Sequence, residues 1–241
     1  MLVLRRLRAT DAGEIAAAVS ASMDHLRPWM PWATAEAADP KTQRVRVAEA
    51  DEMWAAGTDY IYSVFAAEES VLVGAIGLHR RVGDGGIEIG YWIAESQTRR
   101  GFATAAAEAL TSVAAGLPGV RRIEIHCDEA NTASAAIPRK LGYRLDRVIA
   151  HEPEAPGESG RRMIWVWNAA GARGRPAGHG PVSGPRALAP VLLALALLAG
   201  CASAGGQPGR ITSRCRSRPG RSITRRPCSS SIRRAGSARS T

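Results

Sequence analysis

Short apolar runs and longer amphipathic stretches alternate through the first two thirds of the chain. Residues 2–7 (LVLRRL) alternate only weakly and read as a strand. Thr10 and Asp11 then open a helix that continues through IAAAVSASM, with Asp11 and Glu14 in capping-box spacing. Residues 25–32 hold two prolines and two tryptophans, which no helix interior accommodates. A second helix is predicted over residues 40–56. YIYSVFAA at 60–67 and VLVGAIGLH at 71–79 flank a Glu-Glu-Ser turn and predict a hairpin, and IEIGYWIA at 87–94 adds a third strand after the RRVGDGG turn. An alanine-rich helix follows over 101–115, stopped by Gly116 and Pro118. RRIEIHCD at 121–128 predicts a strand and residues 131–141 a short helix carrying Pro138 in its interior. YRLDRVI at 143–149 and RRMIWVW at 161–167 supply the last strands. The order β-α-α-β-β-β-α-β-α-β-β predicts an α/β fold, a single mostly antiparallel mixed sheet flanked by helices, over residues 1–170.

Beyond that point the pattern stops. Residues 171–184 (GARGRPAGHGPVSG) show no periodicity and read as linker. Arg186 then precedes an apolar run ending in Leu198, Ala199, Gly200 and Cys201, the layout of a lipoprotein signal, but placed behind a whole domain. The run falls short of the roughly 20 residues a spanning helix needs. After Cys201 come ten Arg, many Ser, no acids and no aromatics, a composition for which disorder is expected. Three readings of residues 171–241 stand side by side: a gene-model artefact, a hydrophobic anchor with a basic arm, and a linker without function.

Charge changes meaning once it is split at the same point. The 241 residues carry a net charge of +10, yet residues 1–170 hold 19 Lys and Arg against all 22 acids. All six Trp, all four Tyr and both Phe lie there too. The folding part is therefore mildly acidic, which argues against a nucleic-acid surface or a membrane span within residues 1–170. Cys127 is the one cysteine in that part, as expected in a reducing, cytoplasmic compartment. No His and Cys spacing suggests a metal site.

The stretch with the most chemistry runs from Glu88 through the loop Ser-Gln-Thr-Arg-Arg-Gly-Phe-Ala-Thr at 96–104. A strand feeds a short loop with one glycine, and a helix starts at once. The N–H groups of Arg99, Arg100, Gly101, Phe102, Ala103 and Thr104 would point out of that helix start without intrahelical partners. Together with the helix dipole they form an anion site suited to a pyrophosphate. A structural turn of the same shape is the alternative.

EIGYWI, the R-R-G-F-A-T turn and N-T-A-S-A-A-I-P-R-K-L-G-Y resemble the GNAT acyltransferases, and within them the RimJ/RimL-type N-acetyltransferases, whose early Trp-Pro segment is similar to residues 25–32. The resemblance implies a V-shaped opening between the 87–94 and 121–128 strands. Acetyl-CoA would lie in it, its pantetheine against the backbone of Trp92, Ile93 and Ala94 and its pyrophosphate on residues 99–104. Asn131 matches the residue on the pantetheine side. Ser134 matches a position near the thiol that can protonate the leaving thiolate. Two departures stand out. Thr98 occupies the loop position where the family carries Gln or Arg, and Pro138 stands where many relatives carry a Tyr acid. The implied activity is transfer of an acetyl group to a primary amine, on a protein N-terminus or a small molecule, with a homodimer as the common assembly. An amine must lose its proton to attack, and Glu88 is the candidate base, with a solvated or salt-bridged strand Glu as its alternative reading. Ser134 has a helix-surface Ser as its alternative, and Asn131 an N-cap of its own helix. A backbone N–H of Ile93 or Ala94 would meet the developing oxyanion. Trp29 and Trp32 would wall the acceptor pocket, with His25 as a further candidate. A GNAT-fold sensor that binds acyl-CoA without turnover is the competing class.

Overall fold

The computed structural model describes residues 2–66, 69–168 and 211–213. Seven strands are β1 (Leu2–Arg6), β2 (Asp59–Ala66), β3 (Val71–His79), β4 (Gly86–Ile93), β5 (Arg122–Asp128), β6 (Arg144–Ala150) and β7 (Arg161–Asn168). The helices are α1 (Ala12–Ala21), α2 (Met23–Leu26), α3 (Pro40–Ala56), α4 (Phe102–Gly116) and α5 (Thr132–Lys140). In the sheet the strands follow the order β6-β7-β5-β4-β3-β2-β1. Every neighbouring pair is antiparallel except β4 and β5, which α4 connects as a crossover. No helix of the described residues is long and apolar enough to cross a membrane.

The two faces are covered by different helices. Ala106, Ala107, Leu110 and Ala114 of α4 pack on Ile76, Leu78, Ile87, Ile89, Ile123 and Ile125, all buried. Small alanines let this helix sit close on the β-branched surface of the central strands. On the opposite face Ile15 and Val19 of α1 cover Val3, Phe65 and Leu72. The second helix, α3, spans the predicted residues: Asp39 caps it by accepting from the Lys41 N–H at 2.8 Å, and Pro40 stands at its first position.

The start of α1 departs from the expected capping box. Asp11 instead accepts from Arg5 at 2.7 and 2.8 Å and from the Arg8 N–H at 2.9 Å. Glu14 accepts from the Leu72 N–H across the sheet at 3.0 Å. Arg5 is a buried cation on β1 and needs a partner more than a helix end does, because water still reaches the latter. The helix also stops at Ser22 rather than running on to Met23, and the short α2 follows. Ser22 Oγ accepts from the Glu95 N–H at 2.9 Å, tying this break to the end of β4.

A further strand, β8 (Ile211–Ser213), pairs antiparallel with β1, opposite Leu2 to Leu4. It falls within the stretch for which disorder was expected. Local chemistry explains the difference: β1 would otherwise end the sheet with free backbone groups, and Ile211 and Thr212 are β-branched. The linker and the apolar run before Cys201 lie outside the described residues.

Candidate active site

The β4–β5 ladder is short. It joins Gly86 to Arg122, Ile87 to Ile123 and Glu88 to Glu124, and ends there. Beyond it β4 runs on against β3 while β5 runs on against β7. Two parallel strands thus part at Glu88 and Glu124, and a cavity of about 840 Å³ opens along the parting. Glu88, Tyr91 and Trp92 line it from β4, His126 and Cys127 from β5, and Asn131 and Ser134 from the start of α5.

Backbone direction follows from the β3 register. The Ala94 N–H donates to Val73 at 2.8 Å, so alternate residues of β4 turn their backbone groups towards β3. Trp92 and Ala94 are therefore committed to the sheet, and Tyr91 and Ile93 present N–H and C=O to the opening. The expectation that Trp92, Ile93 and Ala94 all face a ligand narrows to Ile93, joined by Tyr91. The Trp92 side chain belongs to the other face, edge-on to Trp32 with ring centroids 5.9 Å apart.

At the far end of β4 the chain makes the predicted loop. Thr98 donates its N–H back to Glu95 at 3.1 Å, and the next intrahelical bond is Ala105 to Gly101 at 3.0 Å. Among the described residues, the N–H groups of 99–104 between them have no backbone acceptor. Gly101 has φ 80°, and Arg99 has φ 59°, a left-handed conformation unusual for a side chain with Cβ. Left-handed residues in such a turn help bring neighbouring N–H groups to one side, as in an anion nest. Arg100 folds over the Phe102 ring, 4.9 Å from its centroid, and donates to Gln97 at 2.6 Å. Arg99 and Arg100 are exposed. The loop therefore offers amides and positive charge to a phosphate.

Glu88 is buried at the apex and both its oxygens are engaged. Arg81, from the turn before β4, donates to them at 2.8 and 2.7 Å. Burial pushes this carboxyl upward, but the Arg81 hydrogen bonds and the charges of His126, Arg81 and His79 outweigh it, leaving Glu88 below the usual carboxylate range. His126 stands between two carboxylates, Nε2 2.6 Å from Glu124 and Nδ1 3.6 Å from Glu88. His79 pairs with Asp59.

Asn131 caps α5, its Oδ1 accepting the Ser134 N–H at 3.0 Å while the residue still lines the cavity. Ser134 Oγ lies 3.1 Å from Tyr91 Oη. Trp29 and Trp32 line the cavity, with Arg46 5.6 Å over the Trp32 ring. His25 is not among the lining residues. The loop after β6 meets the Trp-Pro segment where the Gly157 N–H donates to Pro28 at 2.8 Å, bridging the cavity mouth. Sequence reasoning left out Arg81, Tyr91, Glu124 and Asp128. For the last two the signal was present: Glu124, His126 and Asp128 alternate with Ile123, Ile125 and Cys127, which puts three polar side chains on one face. Arg81 sits in a turn whose fold-back no spacing announces.

A family model described as an acetyltransferase (GNAT) domain matches residues 1–144. No curated protein matches the chain. Among solved structures, the ribosomal-protein-S5-alanine acetyltransferase from Vibrio fischeri is 17% identical, covering 70% of this chain and 93% of its own, with a TM-score of 0.63. RimJ of Mycobacterium smegmatis in complex with CoA-disulfide is 22% identical, covering 70% and 83%, with a TM-score of 0.64. The Salmonella typhimurium acetyl transferase that modifies the N-terminal serine of ribosomal protein L7/L12 is 20% identical, covering 69% and 94%, with a TM-score of 0.60. By the match over residues 1–144, in a chain whose central parallel strands part beside a helix start with unpaired amides, the protein belongs to the GNAT acetyltransferase family.

Proposed function

We propose that the protein transfers the acetyl group of acetyl-CoA to a primary amine by direct attack, both substrates being bound together. The observation that carries this is the union of two features along β4. The strands part at Glu88, and one loop later residues 99–104 present unpaired amides. The chemistry fits the donor: an anion nest for its pyrophosphate, an open strand edge for its pantetheine amides, and hydroxyl groups further in. When bound, the donor supplies an activated thioester.

The chain's own residues then have distinct tasks. Residues 99–104 hold phosphate through backbone N–H groups. Tyr91 and Ile93 offer β-type backbone bonds, and the Ile93 N–H donates to the carbonyl oxygen as negative charge develops on it, a role supported by its unpaired position at the opening. Glu88, ionised throughout the neutral range, draws the cationic amine to the apex and accepts its proton, directly or through water. Ser134 donates towards the leaving sulfur. Trp29 and Trp32 wall the acceptor. Some neighbours acetylate the N-terminus of ribosomal protein L7/L12, which supports a peptide N-terminus as the first acceptor to try, ahead of small amines.

Thermal unfolding of the full chain tests the donor. Acetyl-CoA at 100 times its dissociation constant should stabilise by about 2.7 kcal/mol, which moves the midpoint by roughly 5–10 °C. NADH and ATP should do much less, and equal shifts from all three would reduce the site to a general anion cradle. Thiol release with a panel of peptide and small amines then separates an enzyme from an acyl-CoA sensor.

A further inference from the structure

We propose that Tyr91 is a positioning residue that aims the Ser134 hydroxyl at the donor sulfur, a role that rests on the acetyl-transfer reading of the site. Three contacts hold Ser134. Its N–H is fixed by Asn131 Oδ1 at 3.0 Å. Its carbonyl would normally accept from the residue four positions on, but that residue is Pro138, which has no N–H. Tyr91 Oη reaches in from β4 instead, 3.4 Å from the orphaned carbonyl and 3.1 Å from Ser134 Oγ.

A phenol has one hydrogen. Either hydroxyl could donate across the 3.1 Å contact; in the proposed arrangement the phenol hydrogen is shared between the carbonyl and Oγ of Ser134, with Tyr91 the donor and Ser134 the acceptor. The Ser134 hydrogen is then released to point elsewhere, and both residues line the cavity. Burial pushes the Tyr91 phenol well above its ordinary range, so it stays protonated and keeps donating. Cys127 is the other sulfur beside Ser134; burial pushes its thiol up to about 11, so at neutral pH it is a weak, uncharged acceptor. A thiolate arriving in the opening would outcompete it. As the carbon–sulfur bond breaks and its electron pair moves to sulfur, the Ser134 hydrogen bond strengthens, and Tyr91 stabilises the charge that this draws onto Oγ.

The test needs no acceptor. Coenzyme A itself, bound to the full chain, is titrated by the ultraviolet absorbance of its thiolate, with the ligand-free protein subtracted. Wild type, Tyr91→Phe, Ser134→Ala and the double variant are compared. Calorimetry at a pH below the thiol titration measures affinity in each. The titratable or charged groups facing the pair are Cys127 and Asp128 of β5, Arg139 of α5 and Tyr143 beyond it, and all four are kept in every variant. Removing a hydrogen bond to a charged sulfur should raise the bound-thiol midpoint by about one pH unit in Ser134→Ala. Tyr91→Phe should raise it by a comparable fraction, with unchanged affinity, and should add nothing in the Ser134→Ala background. A midpoint that moves in Ser134→Ala but not in Tyr91→Phe overturns the positioning role alone. Two silent variants, or coenzyme A that does not bind, overturn the role together with the reading beneath it.

Discussion

Glu88 and Asp128 show how much a single carboxylate depends on what faces it. Both are buried on the same side of the sheet, yet Glu88 is held by a guanidinium and Asp128 by hydrogen bonds. Arg81 is itself largely exposed, so the Glu88 pair is partly hydrated and modest in stability, on the order of 1 kcal/mol. Glu88→Gln should therefore lower turnover strongly near neutral pH while leaving acetyl-CoA affinity almost unchanged and lowering the unfolding midpoint by only about 2–4 °C. Steady-state kinetics beside a binding isotherm checks this, and equal activity across pH removes Glu88 as the base. For Asp128, burial pushes the carboxyl up, but donors from Ser159, Ala130 and His151 prevail and hold it at about 2. A lowered carboxyl stabilises the fold above its unfolded value near 3.8, and that contribution disappears as pH falls from there towards 2. Urea unfolding across this window should show the loss in wild type, and a shallower one in Asp128→Asn.

At the scale of elements, two helix starts carry the site, and each uses its unpaired amides differently. The start of α4 has no side-chain cap, and Gly101 holds it in a left-handed turn. A Cβ at Gly101 would meet nothing within 4 Å, so strain there comes from φ and not from crowding. Gly101→Val should cost about 1–2 kcal/mol of backbone strain, relieved by distorting the loop, and weaken acetyl-CoA binding by about tenfold. Isothermal calorimetry reads this directly; unaltered affinity would move the phosphate site away from the loop. The start of α5 is capped from within by Asn131. Asn131→Ala should lower stability by about 1 kcal/mol through the lost cap, a change measurable by urea unfolding without any ligand. A larger loss in coenzyme affinity than in stability would show that the same side chain also contacts the donor.

For the whole molecule, the sheet is an open series of antiparallel pairs interrupted once, between β4 and β5, and the cavity follows from that one parallel joint. Of residues 171–241 the described part is β8, which pairs with β1 at the edge of the sheet away from β6. A chain ending at residue 170 should keep its acetyl-CoA shift in thermal unfolding and lose what β8 contributes against β1 and α4. Mass spectrometry of the native protein decides whether the segment is present at all.

Periodicity was enough to place the seven strands and the four longer helices among the described residues up to Asn168, though not the break at Ser22 or the short α2, because alternating and amphipathic patterns are local and survive without knowledge of neighbours. The loop at 99–104 was legible for the same reason: strand, glycine and helix start are contiguous in the chain. The reading failed where a charge had a distant partner. Asp11 left its predicted cap for Arg5, Glu88 is clasped by Arg81 from a turn, and Tyr91 meets Ser134 across 43 residues. Only the tertiary structure decides such contacts, because buried polar groups take whichever partner the packed elements bring within reach, and sequence distance does not record that.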